Sequence, residues 1–145
     1  MGNINEFTQA MQAGYTFKGD SFPLGGALFN GECPQGATVR VPLQMMNRHG
    51  LIAGATGTGK TKTLQVIAEQ LSVAGVPTLL MDIKGDLSGI AMPAQSNAKI
   101  EDRHQKIGVP FTASGSPVEF LTLSNEKGAR LRATVTESSY AVLPR

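Results

Sequence analysis

Residues 54–61, Gly54-Ala55-Thr56-Gly57-Thr58-Gly59-Lys60-Thr61, follow the pattern Gly-x-x-x-x-Gly-Lys-Thr, a Walker A loop, which demands a strand before it and a helix after it. The glycines let the backbone take positive φ and come close to an anion with no Cβ in the way. The N–H groups then turn inward as an anion nest, and a helix starting near Lys60 adds its N-terminal dipole at the same spot. The flanking sequence supplies both elements. Leu51-Ile52-Ala53 reads as a short apolar strand. Over 60–74, Leu64, Ile67, Ala68 and Leu71 recur at i, i+3, i+4 and i+7, which predicts a helix with one buried stripe. Gly75 is placed to end that helix in the left-handed conformation, and Pro77 prevents its continuation. Thr78-Leu79-Leu80-Met81-Asp82-Ile83 reads as a second buried strand, making a β-α-β crossover with parallel strands.

The chemistry of such a loop is phosphate recognition, which predicts a nucleoside triphosphate with Mg²⁺, ATP in first place. Lys60 is the expected contact to the β- and γ-phosphates and the residue on which catalysis would depend; the Thr61 hydroxyl is the expected Mg²⁺ ligand. Gly54, Ala55, Thr56, Gly57, Thr58, Gly59, Lys60, Thr61, Lys62 and Thr63 form the expected nucleotide-binding set. Three readings of Asp82 stay open. It holds magnesium through water as a Walker B acid, it opens a GTPase-like Asp-x-x-Gly with Gly85, or it ends its strand by bonding loop N–H groups. An Asn-Lys-x-Asp guanine-reading motif does not follow. Nor does an apolar strand ending in Asp-Glu, whose glutamate would polarise an attacking water: 118–123 runs into Ser124-Asn125-Glu126. Arg130 and Arg132 read as solvated residues rather than arginine fingers.

The rest of the chain is read more coarsely. Residues 5–13 predict a short helix with Phe7 and Met11 on one face. The glycine-rich stretch 14–42 predicts small strands at 15–17, 27–29 and 38–41, with turns at Asn30-Gly31 and Cys33-Pro34-Gln35-Gly36. A helix over 97–107 has Ser96 as its N-cap and Gly108 at its end. Residues 118–123 and 131–135, joined by a turn at 124–128, predict an antiparallel hairpin. Arg48 and His49 stand near the expected nucleotide edge, Met45 and Met46 read as core, and His104 as part of a solvated face. The division is an N-terminal helix and small β-rich element over 1–46, followed by a partial P-loop core over 47–145.

A formal net charge of +2 is too small to demand nucleic acid or a membrane surface. No apolar run approaches a membrane span, and the N-terminus lacks the charged-then-apolar order of a signal peptide. The expectation is a cytoplasmic protein whose one cysteine, Cys33, is a free thiol.

Asn47-Arg48-His49-Gly50 leading into the loop, Gly75-Val76-Pro77, and Asp82-Ile83-Lys84-Gly85-Asp86-Leu87-Ser88-Gly89 together resemble the HerA-like ATPases, relatives of the HerA and FtsK motors. Asn125-Glu126-Lys127-Gly128, Arg132-Ala133-Thr134-Val135, Leu24-Gly25 and Val41-Pro42-Leu43 fit the same pattern. The resemblance implies a RecA-like α/β core and ATP-driven work on DNA, in ring hexamers. It supports 54–61 as the nucleotide site and makes Asp82 a strand-end residue, with the family's Walker B acid further along the longer members. The chain then reads as the N-terminal, ATP-binding part of a DNA translocase or helicase-type ATPase, inefficient in hydrolysis alone. The alternatives are a non-catalytic nucleotide-binding or regulatory module, and a small kinase or GTPase using Asp82.

Overall fold

The computed structural model describes residues 2–123 and 127–131. Helix α1 (Ile4–Gly14) opens on Asn3, whose Oδ1 accepts from the Asn5 N–H at 2.9 Å, satisfying one of the donors a helix start leaves unpaired. Its Phe7 ring lies 4.9 Å from that of Phe29, which fastens the helix over the loop that follows β1.

Strands β1 (Ser21–Gly26) and β2 (Thr38–Pro42) pair antiparallel, with an irregularity between Pro23 and Gly25. The sequence reading missed β1, because Pro23, Gly25 and Gly26 look like turn residues. A two-stranded ribbon tolerates them: each strand keeps an open edge where a missing N–H costs little. Gly26 is required by packing, since a Cβ there would overlap Cys33 Sγ and stand 3.1 Å from Ile107 Cγ2. The Arg40 guanidinium clasps the partner strand, donating to Ser21 Oγ at 3.0 Å and Ser21 O at 2.6 Å. Asn30 (φ 51°) and Gly31 (φ 85°) form the expected tight turn, with Phe29 and Glu32 exchanging both backbone bonds at 2.8 and 3.0 Å. Residues 15–17 are not a strand: Tyr15 ends α1 and its ring meets that of Phe17 edge-on. Residues 27–29 contribute a single bridge.

Helix α2 (Lys60–Val73) ends as its sequence predicts. Gly75 takes φ 73°; its N–H donates to Ser72 O at 3.0 Å and the Val76 N–H to Leu71 O at 2.9 Å, satisfying the last carbonyls. Ala68 and Leu71 are buried, Leu64 and Ile67 half-buried, and α2 packs on β1. With Phe22, Ala37 and Leu87 they form the small core.

The expected β-α-β crossover differs. Residues 51–53 and 78–83 flank α2 but enter no strand pairing among the described residues. Leu51, Met81 and Ile83 are 89%, 86% and 101% exposed. Segments this apolar are sheet strands only when neighbouring strands pair their edges and helices cover their faces; one helix between two of them supplies neither.

Helix α3 (Ala98–Ile107) is capped by Asn97, not Ser96. The Asn97 amide oxygen accepts from the N–H groups of Lys99 and Ile100 at 3.0 and 3.1 Å, while Ser96 Oγ turns to Glu101 Oε1 at 2.8 Å. Gly108 closes the helix at φ 68°. The end of α3 is tied to the ribbon by Ile107 at Gly26 and by Gln35 Nε2 donating to Gln105 O at 3.3 Å. His104 is half-buried rather than on a solvated face, with Nδ1 2.8 Å from Val109 O and its ring against Phe111. Met45 is 52% exposed and outside the core.

Within the expected strand 118–123, β3 (Leu121–Thr122) pairs in parallel with β4 (Ala129–Arg130), two residues ahead of the expected return strand. Gly128 precedes β4 at φ 144°, where a Cβ would sit 2.8 Å from Phe120 O. Residues 124–126 of the expected turn and 132–135 of the expected strand, Arg132 among them, lie outside the described residues, as does the tail. The described architecture is mixed α/β, with two small sheets and three α-helices. Among these residues no helix is long and apolar enough to cross a membrane.

Candidate functional site

Residues 54–63 form one continuous feature at the N-terminal end of α2. Gly57 (φ 83°) and Gly59 (φ 93°) both adopt the left-handed region, which a side-chain-bearing residue reaches only at a cost. Gly54 answers a different need: a Cβ there would stand 2.5 Å from Thr58 Oγ1. That hydroxyl donates to Ala55 O at 2.8 Å, and Lys60 Nζ folds back onto the same carbonyl at 2.7 Å. Thr56 lies exposed at the tip.

Gly59 is the N-cap of α2 and has no side chain to cap it. The first helical bond runs from the Thr63 N–H to Gly59 O at 2.9 Å, so the N–H groups of Lys60, Thr61 and Lys62 have no acceptor within the helix. They open on a loop whose neighbouring side chains are cationic or hydroxylic. This is the donor set a phosphate needs. Thr61 is exposed in the first turn. Thr63 Oγ1 is engaged with Gly59 O at 3.2 Å, and Lys62 Nζ reaches along the helix to Gln65 Oε1 at 2.8 Å.

Asp82 organises the loop after it. Oδ1 accepts from the N–H groups of Lys84 and Gly85 at 3.0 and 2.9 Å, and Oδ2 from the Leu87 N–H at 2.8 Å. These donors favour the charged carboxylate. The Leu87 N–H is the largest cause that holds the Asp82 pKa below the usual value; partial desolvation opposes it, and Lys84, Gly85 and Asp86 add to the lowering. A depressed carboxyl contributes stability that is present above its unfolded pKa, near ~3.9, and lost as pH falls through the lower folded value. The Gly85 and Leu87 amide signals are therefore expected to titrate together with a midpoint below that of an ordinary aspartate. Asp82→Asn should abolish that acid transition; its persistence in the variant would assign the transition to another group.

The residue the sequence reading missed is Gln65. It lies 8% exposed on α2, and its Nε2 donates to Asp86 O at 3.0 Å, joining the helix behind the glycine-rich loop to the Asp82 loop. Its signal was present: Gln65 precedes buried Ala68 by three positions and follows Thr61 by four, so it shares a face with both. Arg48 and His49 lie exposed ahead of the loop. A cleft of about 540 Å³ runs between the C-terminal half of α2 and segments 75–80 and 116–121. Asp82, Gly85 and Leu87 stand on its wall, and residues 54–63 do not.

A family model described as Helicase HerA-like C-terminal matches residues 29–145. That span takes in the glycine-rich loop, Gln65 and Asp82. No curated protein and no solved structure matches the chain.

Proposed function

Because the chain belongs to the helicase HerA-like C-terminal family, we propose that residues 54–63 bind ATP with Mg²⁺ as the nucleotide-binding segment of a DNA translocase or helicase-type ATPase. The observation that carries this reading is the uncapped, exposed start of α2 behind two left-handed glycines. Its free N–H groups and positive dipole end suit phosphate oxygens. Lys60 leaves the Ala55 carbonyl for the β- and γ-phosphates, and the Thr61 hydroxyl ligates the metal. The Asp82 carboxylate accepts three N–H bonds, and with about four lone-pair sites it retains one for a metal-bound water.

The wider proposal is a RecA-like core in which 51–53 and 78–83 are sheet strands. Their exposed apolar side chains support it, since further strands and helices are what such segments need as cover. Work on DNA, assembly into a hexameric ring and a cytoplasmic setting belong to the same reading.

The test is a titration of this chain with fluorescent ATP, with and without Mg²⁺, followed by phosphate release with and without DNA. Saturable, Mg²⁺-strengthened binding is expected. A folded sample that binds neither ATP nor GTP overturns the assignment. Binding without turnover selects the non-catalytic nucleotide module, and GTP preference with turnover selects the small GTPase.

A further inference from the structure

We propose that Gln65 is a positioning residue through which phosphate occupancy at the start of α2 releases Asp82. The inference rests on the nucleotide-binding reading of residues 54–63 and extends it to a neighbouring loop.

A continuous hydrogen-bonded chain links the two. Lys62 Nζ, in the first turn of α2, donates to Gln65 Oε1 at 2.8 Å. Gln65 Nε2 donates to Asp86 O at 3.0 Å. That carbonyl belongs to the same peptide unit as the Leu87 N–H, which donates to Asp82 Oδ2 at 2.8 Å. The 86–87 peptide is thus held between Gln65 on one side and Asp82 on the other. Gln65 and Leu87 are buried, 8% and 7% exposed, where a hydrogen bond is electrostatically stronger than in water and each bond polarises the next. The Lys62 ammonium heads the chain and strengthens the Gln65 N–H as a donor. That in turn strengthens the Leu87 N–H toward Asp82.

Lys62 is also a first-turn cation beside the free N–H groups of the helix start. A triphosphate there is a stronger partner for its ammonium than a neutral amide oxygen. Drawing Nζ away removes the polarising charge from Gln65 and weakens the Leu87 bond to Oδ2. Asp82 Oδ2, which carries one N–H bond at rest, then has both lone pairs instead of one open to other donors, such as a metal-bound water. The Lys84 and Gly85 N–H groups, both on Oδ1, lie off this path and keep the carboxylate in place. Phosphate binding and release of one oxygen of Asp82 become one event.

Amide hydrogen exchange on the full chain tests this, with and without saturating ATP–Mg²⁺. In the wild type, nucleotide should speed exchange at Leu87 by about fivefold, the worth of one net hydrogen bond, with Lys84 and Gly85 little changed. In Gln65→Met, which keeps the volume and removes both polar ends, Leu87 should exchange fast with or without nucleotide. Lys62→Met, an exposed position, should show the same lack of response at an ATP–Mg²⁺ concentration that a fluorescent-ATP titration of that variant shows to be saturating, and serves if Gln65→Met does not fold. A nucleotide response at Leu87 that survives in either variant overturns the proposal, as does an unresponsive Leu87 in a wild type that binds ATP. Failure of the wild type to bind ATP in a Lys60-dependent way is a separate result: it removes the nucleotide reading, and this inference with it.

Discussion

Lys60→Ala is expected to weaken fluorescent ATP–Mg²⁺ binding by roughly 10- to 150-fold, the range for losing hydrogen bonds to a charged partner. The fold should be unaffected. Lys60 Nζ makes its bond to Ala55 O, an exposed carbonyl that water can satisfy in its place. The helix start remains, because Gly59 and not Lys60 is the N-cap. The remaining donors, the N–H groups of α2's first turn, should leave a weak residual affinity. Lys60→Arg should recover part of the loss, since charge is kept while the compact ammonium geometry is not. The measurement is the dissociation constant of each variant, beside a circular dichroism spectrum and an unfolding midpoint. An alanine variant with wild-type affinity would show that phosphate does not bind at residues 54–63, and the proposed function would fall with it.

Phe22→Ala should be the most damaging single change to the described core, at a cost of about 3–5 kcal/mol. Phe22 is the buried side chain of β1, 5% exposed, and lies opposite Val41 in the ribbon. Among the described residues few other apolar side chains are buried: Ala37, Ala68, Leu71 and Leu87. α2 packs on β1, so a cavity at Phe22 is felt where the ribbon meets the helix that carries the glycine-rich loop. The loss is a large part of the ~5–15 kcal/mol by which folded domains are stable. Urea unfolding should show it as a lower midpoint at similar slope, or as a chain already unfolded in buffer. A cost below about 1 kcal/mol, the ordinary size of a surface substitution or less, would mean that β1 and β2 are not the centre of the packing.

The parts legible in the sequence are those where a few neighbouring residues set the backbone. The Asn30-Gly31 turn requires positive φ at both of its positions and the helix ends at Gly75 and Gly108 at one each, and glycine or asparagine marks them. Helix α2 announced itself by its apolar stripe, and Gly57 and Gly59 by the loop pattern. The error at the start of α3 was of one residue, because Ser96 and Asn97 are both good caps and only the geometry shows which one faces the free N–H groups. β1 was hidden because Pro23, Gly25 and Gly26 look like turn residues, and the glycine at 26 serves the close approach of Ile107, far along the chain. The β3–β4 pairing was not foreseen for a related reason: apolar alternation specifies which face is buried, not which segment pairs with it or in which direction.

By itself the sequence determined that a glycine-rich loop opens a helix here, where that helix ends, and which family the chain resembles. These depend on φ preferences and donor patterns confined to short segments. Only the tertiary structure decided that Asp82 spends its carboxylate on the N–H groups of its own loop, and that Gln65 joins that loop to α2. It also decided that the apolar segments 51–53 and 78–83 stand exposed instead of pairing. Burial and pairing depend on what else occupies the neighbouring space, and no window of local sequence carries that information.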